Sequence, residues 1–111
     1  MEKSYKVGKV NNPKPSLYFG VCDTAESVAT KVVTINDLTA ETLVAGTHIT
    51  IYFTNANTVE TPSINLNGIG TFNVVSFSGN RWSAGTIINF VYNNSQLYLI
   101  APTTSLDDGA L

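Results

Sequence analysis

Charged side chains are scarce in this chain of 111 residues. Asp, Glu, Lys and Arg make up 13% of it, whereas globular domains average about 25%. Their place is taken by 14 threonines, 12 asparagines and 9 serines. This polar composition disfavours helices and favours strands and turns. The net charge of −2 gives no overall basic field, so the sequence predicts no nucleic-acid partner.

Cysteine, histidine and long apolar runs are nearly absent as well. With Cys22 and His48 as the single residues of their types, we expect neither an internal disulfide nor a zinc site, and no cofactor. No apolar run approaches the roughly 20 residues of a membrane span, and residues 1–4 do not begin a secretory signal. Membrane insertion is therefore not expected. The 43% of hydrophobic residues are enough for the core of one domain.

The few charges are unevenly distributed. Residues 1–16 carry four lysines against one glutamate, a balance of +3, and contain two prolines that favour an extended chain. The remainder carries seven acidic residues against Lys31 and Arg81, a balance of −5. We predict that 1–16 is an extended arm that anchors the protein to an acidic partner, a solvated tail being the other interpretation. The candidate anchoring residues are Lys3, Lys6, Lys9 and Lys14.

Residues 17–101 carry the patterns of about seven strands. In 48–54, apolar residues alternate with His, Thr and Tyr, and Asn67-Gly68 marks a hairpin turn. Turn signals recur about every 8–12 residues, as in sandwiches and barrels. The predicted fold class is therefore all-β: one small antiparallel β-sandwich or barrel, followed by a short acidic tail at 102–111. The predicted strands are 18–22, 31–35, 48–54, 63–67, 71–77, 86–92 and 96–100.

Two segments of this body carry a more specific prediction. Residues 24–30 suit one or two helical turns with Thr24 as the cap, although their threonines and valine limit the length. Residues 86–92 are apolar on both faces, so this strand is expected either at the centre of the sheet or under a partner.

The order and spacing of several short segments resemble a small β-module that recurs in structural proteins of tailed bacteriophages and prophages. The resemblance covers about residues 18–100. It implies a virion component of a fibre, baseplate or head appendage, often trimeric, and not an enzyme. Unlike many members, this chain is little more than the module and has no long fibre stalk. The matching segments are Tyr-Phe-Gly-Val-Cys-Asp-Thr-Ala at 18–25, Lys-Val-Val-Thr at 31–34, Phe-Thr-Asn-Ala-Asn-Thr at 53–58, Ile-Asn-Leu-Asn-Gly-Ile-Gly at 64–70 after Pro62, Phe-Val-Tyr-Asn at 90–93 and Gln-Leu-Tyr-Leu at 96–99.

The chain offers little for catalysis, which needs a nucleophile, a base and an orienting group within reach of one another. His48, the one usual base, is predicted on the outward side of its strand, and Cys22 is expected to be a buried, inert thiol. The carboxylates form local pairs that suit capping or solvation and lack the spacing of a calcium loop. We therefore predict that the protein is not an enzyme. These pairs are Asp23 with Glu26, Asp37 with Glu41, and Asp107 with Asp108.

The aromatic residues supply the remaining candidate site. Periodicity assigns Tyr18, Phe53, Phe72 and Phe90 to the core. It does not assign Trp82, which follows Arg81 in a turn region, so that core, subunit interface and contact with a sugar ring remain open for it. The candidate interface or glycan-contact residues are Arg81, Trp82, Tyr52 and Tyr98.

These observations lead to one expected function and one alternative. We expect a non-enzymatic structural protein of a bacteriophage virion, as a head fibre, decoration protein, tail fibre or baseplate component that assembles through its terminal arms. The expected partners are other virion proteins, namely capsid, tail or fibre subunits, and the chain is expected to form a homotrimer. The alternative is a carbohydrate-binding module that engages surface glycans of the host during attachment.

Overall fold

The computed structural model describes residues 17–76 and 79–102, the last two by their backbone alone. The predicted arm at 1–16, with Lys3, Lys6, Lys9 and Lys14, lies outside these residues, and so does the acidic tail after 102. Each of the seven predicted strands is present, with bounds that agree within two residues. They are β1 (Leu17–Cys22), β2 (Thr30–Val33), β3 (His48–Phe53), β4 (Ser63–Leu66), β5 (Gly70–Val75), β6 (Thr86–Asn93) and β7 (Gln96–Pro102).

The strands form one sheet in the order β1-β3-β6-β7-β5-β4-β2. Its two outer strands come together, since a backbone bridge joins Val21 of β1 to Thr34, just after β2. The sheet is thus a nearly closed barrel, and the predicted all-β fold is confirmed. Within the described ranges, no helix is long and apolar enough to cross a membrane.

The sheet is mixed, so the prediction of a wholly antiparallel sheet is wrong. Three pairs are parallel, namely β1–β3, β2–β4 and β5–β7, and three are antiparallel. The tight antiparallel connections are the β4–β5 and β6–β7 hairpins. The β6–β7 connection has two residues, Asn94 (φ 55°) and Ser95 (φ 62°), both with the positive φ of a type I′ turn. The β4–β5 connection has three residues, 67–69, and begins with positive φ at Asn67 (53°) and Gly68 (73°). The Asn-Asp turn signal at 36–37 lies near the start of segment 34–47 and does not form a hairpin. This segment is long because β3 pairs with β1 and not with the preceding β2.

The predicted helical turns at 24–30 are replaced by a single turn at 26–27. Thr24 does not cap a helix, because its hydroxyl accepts a hydrogen bond from the backbone N–H of Val32 at 2.9 Å. The carbonyls of Ala25 and Glu26 accept hydrogen bonds from Lys31 Nζ instead of continuing a helical ladder. These side-chain contacts hold the connection between β1 and β2 against the end of β2.

The core fills the inside of the barrel. Ile49, Ile51 and Phe53 of β3 are at most 1% exposed, as their alternation predicted. Phe90 of β6 lies edge-on to Phe53, with ring centroids 6.4 Å apart. Because β6 lies between β3 and β7, the apolar strand 86–92 occupies a central position. The other buried apolar side chains of the core are Cys22, Val33, Ile35, Leu38, Leu43, Ile64, Leu66, Val74, Trp82, Ile88 and Leu97.

A close approach at Gly20 closes the barrel. A Cβ atom at this position would lie 2.6 Å from Ile35 Cγ1 and 2.8 Å from Val33 Cγ1, inside contact distance of two buried side chains. The two outer strands therefore meet by packing over a glycine. In the described ranges, the Val21–Thr34 bridge is the single isolated bridge between them.

Candidate interaction surface

The outward side chains of four neighbouring strands form one continuous surface without charge. The sequences of β1, β3, β6 and β7 contain no Asp, Glu, Lys or Arg. The strand register aligns their outward residues in rows across the sheet. We call this surface the uncharged face. It comprises the row Leu17, His48, Val91 and Tyr98, the row Phe19, Thr50 and Asn89, the row Val21, Tyr52 and Ile87, and the neighbouring Ile100.

Large apolar side chains are exposed along the outer strand of this face. Leu17, Phe19 and Val21 of β1 are 80%, 56% and 45% exposed. Ile100 of β7 is 52% exposed, because Phe90 pairs with Leu99 and Asn89 with Ala101, which leaves Ile100 as the extra residue of a bulge. Edge strands usually carry charged residues or proline that prevent association. β1 carries neither.

The polar groups of the uncharged face largely bond to one another. The Thr50 hydroxyl donates to Asn89 Oδ1 at 2.7 Å, across the β3–β6 pair. The Tyr98 hydroxyl donates to Gln96 Oε1 at 3.0 Å, next to it on the same side of β7. His48 is exposed at one end of the face, on the outward side of β3 as the alternation predicted. The surface therefore combines apolar side chains with two bonded polar pairs, Thr50–Asn89 and Tyr98–Gln96.

The charged side chains lie beyond the strands. Asp23, Glu26, Glu60 and Arg81 belong to connections at the end of the barrel where β1 and β3 finish, and Asp37 and Glu41 belong to segment 34–47 at the other end. With Lys31, these residues give five acidic against two basic groups, a balance of −3 for the described residues. Two charged rims thus border an uncharged wall.

Lys31 is the exception, because it lies on a strand and points inward. It is 1% exposed, and its Nζ donates to the carbonyls of Ala25 at 3.1 Å and Glu26 at 3.3 Å. Burial lowers the pKa of Lys31, against weaker opposing effects of Cys22 and Glu26. Sequence reasoning did not assign this residue a role. The sequence could have indicated its burial, because Lys31 precedes Val33 by two residues in β2 and residues two apart on a strand lie on the same face of the sheet.

The four residues predicted as interface or glycan contacts do not form one site. Trp82 is 9% exposed and packs on Phe53 with ring centroids 4.4 Å apart, so it belongs to the core. Arg81 is exposed in the connection before β6, where its Nε donates to the Thr58 carbonyl at 3.0 Å. Tyr52 and Tyr98 both lie half-buried on the uncharged face. They are two strands and four residues apart, roughly 15 Å along the sheet, which is too far for one sugar ring.

The side chains of two asparagines hold the connections at the two ends, a role that the sequence did not predict, although Asn67 was predicted as a turn residue. Asn67 bonds three backbone groups of segment 34–47: its Oδ1 accepts from Ile35 N at 2.6 Å, and its Nδ2 donates to the carbonyls of Ile35 at 2.7 Å and Leu38 at 2.9 Å. Asn57 bonds Val59 and reaches the carbonyl of Asn80 at 2.6 Å.

At the same end as Asn57, two buried side-chain polar atoms have no hydrogen-bond partner among the residues that the structure describes. They are Trp82 Nε1, a donor, and Asn80 Oδ1, an acceptor. The groups around them are bonded: the backbones of Asn57 and Trp82 bond each other, with N···O distances of 2.9 Å and 3.3 Å, and the side-chain Nδ2 of Asn80 donates to Glu60 O at 3.2 Å. The unmet groups are therefore side-chain atoms enclosed within an otherwise bonded loop pair.

Comparison with known proteins adds no relative to this geometry. Family models, curated proteins and solved structures give no match to the chain. The part of the chain that the structure describes contains no cluster of three or more His, Cys, Asp or Glu residues placed to hold a metal ion. What the uncharged face can do chemically is bind another surface by shape and by apolar contact.

Proposed function

We propose that this protein is a non-enzymatic structural component of a bacteriophage virion, as a head fibre, decoration protein, tail fibre or baseplate subunit. The observation that carries the proposal is the uncharged face, which displays Leu17, Phe19 and Val21 on a rigid barrel wall. Exposed apolar surface of this kind marks sites of contact with other proteins. A particle component needs such lasting contacts with its neighbours.

The resemblance to phage structural modules supports the same role. Its segments contain Thr24, Asn57 and Asn67, whose side chains bond the backbone of neighbouring connections. The features that this chain has in common with those modules are therefore features that hold the barrel together. A shared scaffold is what a structural module is expected to keep.

The basic arm provides the proposed means of attachment. Residues 1–16 carry a net charge of +3, which is opposite in sign to the net charge of −3 on the described residues of the barrel. We propose that Lys3, Lys6, Lys9 and Lys14 bind an acidic surface of a capsid, tail or fibre subunit. The proposed assembly unit is a homotrimer, in which the arms of all copies anchor together.

Incorporation into particles tests this proposal. Gradient-purified particles from cells that express the gene are analysed by mass spectrometry for the full chain and for a chain without residues 1–14. We expect the full chain in the particles and the folded, shortened chain outside them. A matched pair replaces all four arm lysines: by arginine, which keeps the charge and should keep incorporation, or by glutamine, which should abolish it. Absence of the full chain from particles would overturn the proposal.

The alternative is carbohydrate binding. Of the aromatic residues predicted to contact a glycan, Tyr52 and Tyr98 lie on the outside of the barrel, whereas Trp82 is buried. Binding to a broad glycan array distinguishes the structural role from the carbohydrate-binding role. Binding by the wild-type chain that Tyr52→Ala abolishes, in a variant that keeps its fold, would favour the carbohydrate-binding role. No binding by the wild-type chain would leave the structural role as the one function.

A further inference from the structure

We propose that copies of this chain bind one another through the uncharged face. This inference rests on the proposed structural role and names the surface and the partner for its assembly. The face is built from the outward side chains of β1, β3, β6 and β7, with Phe19, Thr50 and Asn89 in its middle row. The partner is a second copy of the same chain.

The distribution of charge favours a copy of the chain over a partner of opposite charge. A basic or acidic partner would find no charged side chain on these four strands with which to pair. In a symmetric assembly, equivalent residues of the copies come close at the axis. A charged residue there would lie near the same residue of the other copy, and the two like charges would repel each other. A face without charge avoids that repulsion. Two barrels that approached by their charged rims would instead bring together surplus negative charge.

The size and composition of the face also suit such a contact. Four strands at about 4.8 Å spacing, each about 20 Å long, make a patch roughly 15 Å by 20 Å before the width of the side chains is added. The largest apolar patch on a single chain is typically about 300–600 Å² and is often functional. A standard interface buries about 800 Å² per partner, so side chains around the face have to join the contact. The apolar residues Phe19 and Val21 stand beside the bonded Thr50–Asn89 pair. Contact would thus leave few new polar groups unpaired.

The outer edge of β1 gives the second copy a place to extend the contact. Beyond the Val21–Thr34 bridge, the described residues show no further bridge between β1 and the chain after β2. At Gly20 the side chains of Val33 and Ile35 cover this edge. The backbone from Leu17 to Phe19 runs along the edge of the sheet, and the outward side chains of Leu17 and Phe19 are apolar. An unprotected edge of this kind is a template for another strand.

The solution mass of the purified full chain tests the proposal, with light scattering at two protein concentrations. We expect a mass of two or three chains, each of 11.9 kDa. Val21→Lys on the face should reduce it to that of one chain. The matched control is Val44→Lys in segment 34–47, since the two valines are 45% and 44% exposed, and this variant should keep the wild-type mass. Phe19→Lys is a second variant on the face, in case Val21→Lys does not fold by circular dichroism.

The outcomes separate this inference from the proposed function. A wild-type chain that stays single at both concentrations, or folded Val21→Lys and Phe19→Lys variants that keep the full mass, would overturn the interface. An assembly that separates in high salt, or after removal of residues 1–14, would point to the basic arm as the occupant and would also overturn it. A chain that assembles as expected but is absent from particles would overturn only the proposed function.

Discussion

One asparagine side chain holds the connections at each end of the barrel, but the two differ in how many hydrogen bonds they make to distant parts of the chain. Asn67 makes three hydrogen bonds to segment 34–47, all of them to a distant part of the chain. Asn57 makes two of its three hydrogen bonds to Val59, two residues away, and the third to Asn80. The Asn57 end also encloses two polar atoms without partners, on Asn80 and Trp82. Each unmet buried group costs about 1–3 kcal/mol, so we infer that this end opens more easily.

Of the two asparagines, Asn67 has the larger expected effect. Asn67→Ala removes three hydrogen bonds and places alanine at a φ of 53°, so the free energy of unfolding should fall by about 3–4 kcal/mol. Asn67→Gly removes the same bonds but tolerates the positive φ, and should cost about 1 kcal/mol less. Urea denaturation followed by circular dichroism measures both. Equal losses for the two variants would show that the backbone conformation contributes nothing.

A smaller effect is expected at Asn57, which is 1% exposed. Asn57→Ala leaves the N–H and C=O of Val59 and the carbonyl of Asn80 without this partner, at a cost of about 2–3 kcal/mol in the free energy of unfolding. The control is Asn55→Ala, which removes an exposed amide that bonds Asp23 O and should cost about 1 kcal/mol or less. An Asn57 loss above that of Asn67→Ala would reverse the order of the two ends.

A still smaller effect is expected when Trp82 is replaced by phenylalanine. Trp82→Phe loses some packing against Phe53 but removes the buried Nε1 donor that has no partner, so the two effects should offset to within about 1 kcal/mol. Trp82→Ala, which also removes the ring, should cost about 3–5 kcal/mol. Circular dichroism serves as the signal, because the variants lack the sole tryptophan. If the phenylalanine variant lost as much as the alanine variant, Nε1 would have to be well bonded.

The smallest expected effect is a pH dependence at the Asn57 end, where Lys31 lies. Burial lowers the pKa of Lys31 below its usual 10.5, so the unfolded chain binds the proton more tightly than the folded one. Between the lowered pKa and 10.5, stability should therefore rise with pH relative to Lys31→Met, which does not titrate. The measurement is the difference in unfolding free energy between the two proteins from neutral pH upward. A difference that stays flat or falls would contradict the assignment.

The strands were predictable because burial imposes a local pattern. Ile49, Ile51 and Phe53 alternate with polar residues, and the Asn67-Gly68 pair has the conformational preference of its turn. The partners of the strands were not predictable, because a pattern of period two says which face is buried and not which strand lies alongside. The parallel pairs β1–β3 and β2–β4 therefore came only from the structure.

The uncharged face was half predictable. Alternation left Tyr52 and Tyr98 outside the core, where they lie half-buried. Phe19 and Val21 belong to the apolar run 18–22, which predicted a strand but has no alternation to show which residues face outward. In the barrel, Tyr18, Gly20 and Cys22 face inward and their neighbours face out. Trp82 had no periodic context at all, and only the packing of its ring on Phe53 assigns it to the core.

The direction of the first and last strands has a mechanical consequence. β1 and β7 run the same way, separated by the antiparallel β6 and by β3, so the described chain enters the barrel at one end and leaves it at the other. Tension applied to the two strand ends pulls along the strands and loads the β1–β3 ladder in shear. Its hydrogen bonds then share the load and fail together, whereas a peeling force would break them one at a time. A barrel held between two attachment points would thus resist stretching along its axis.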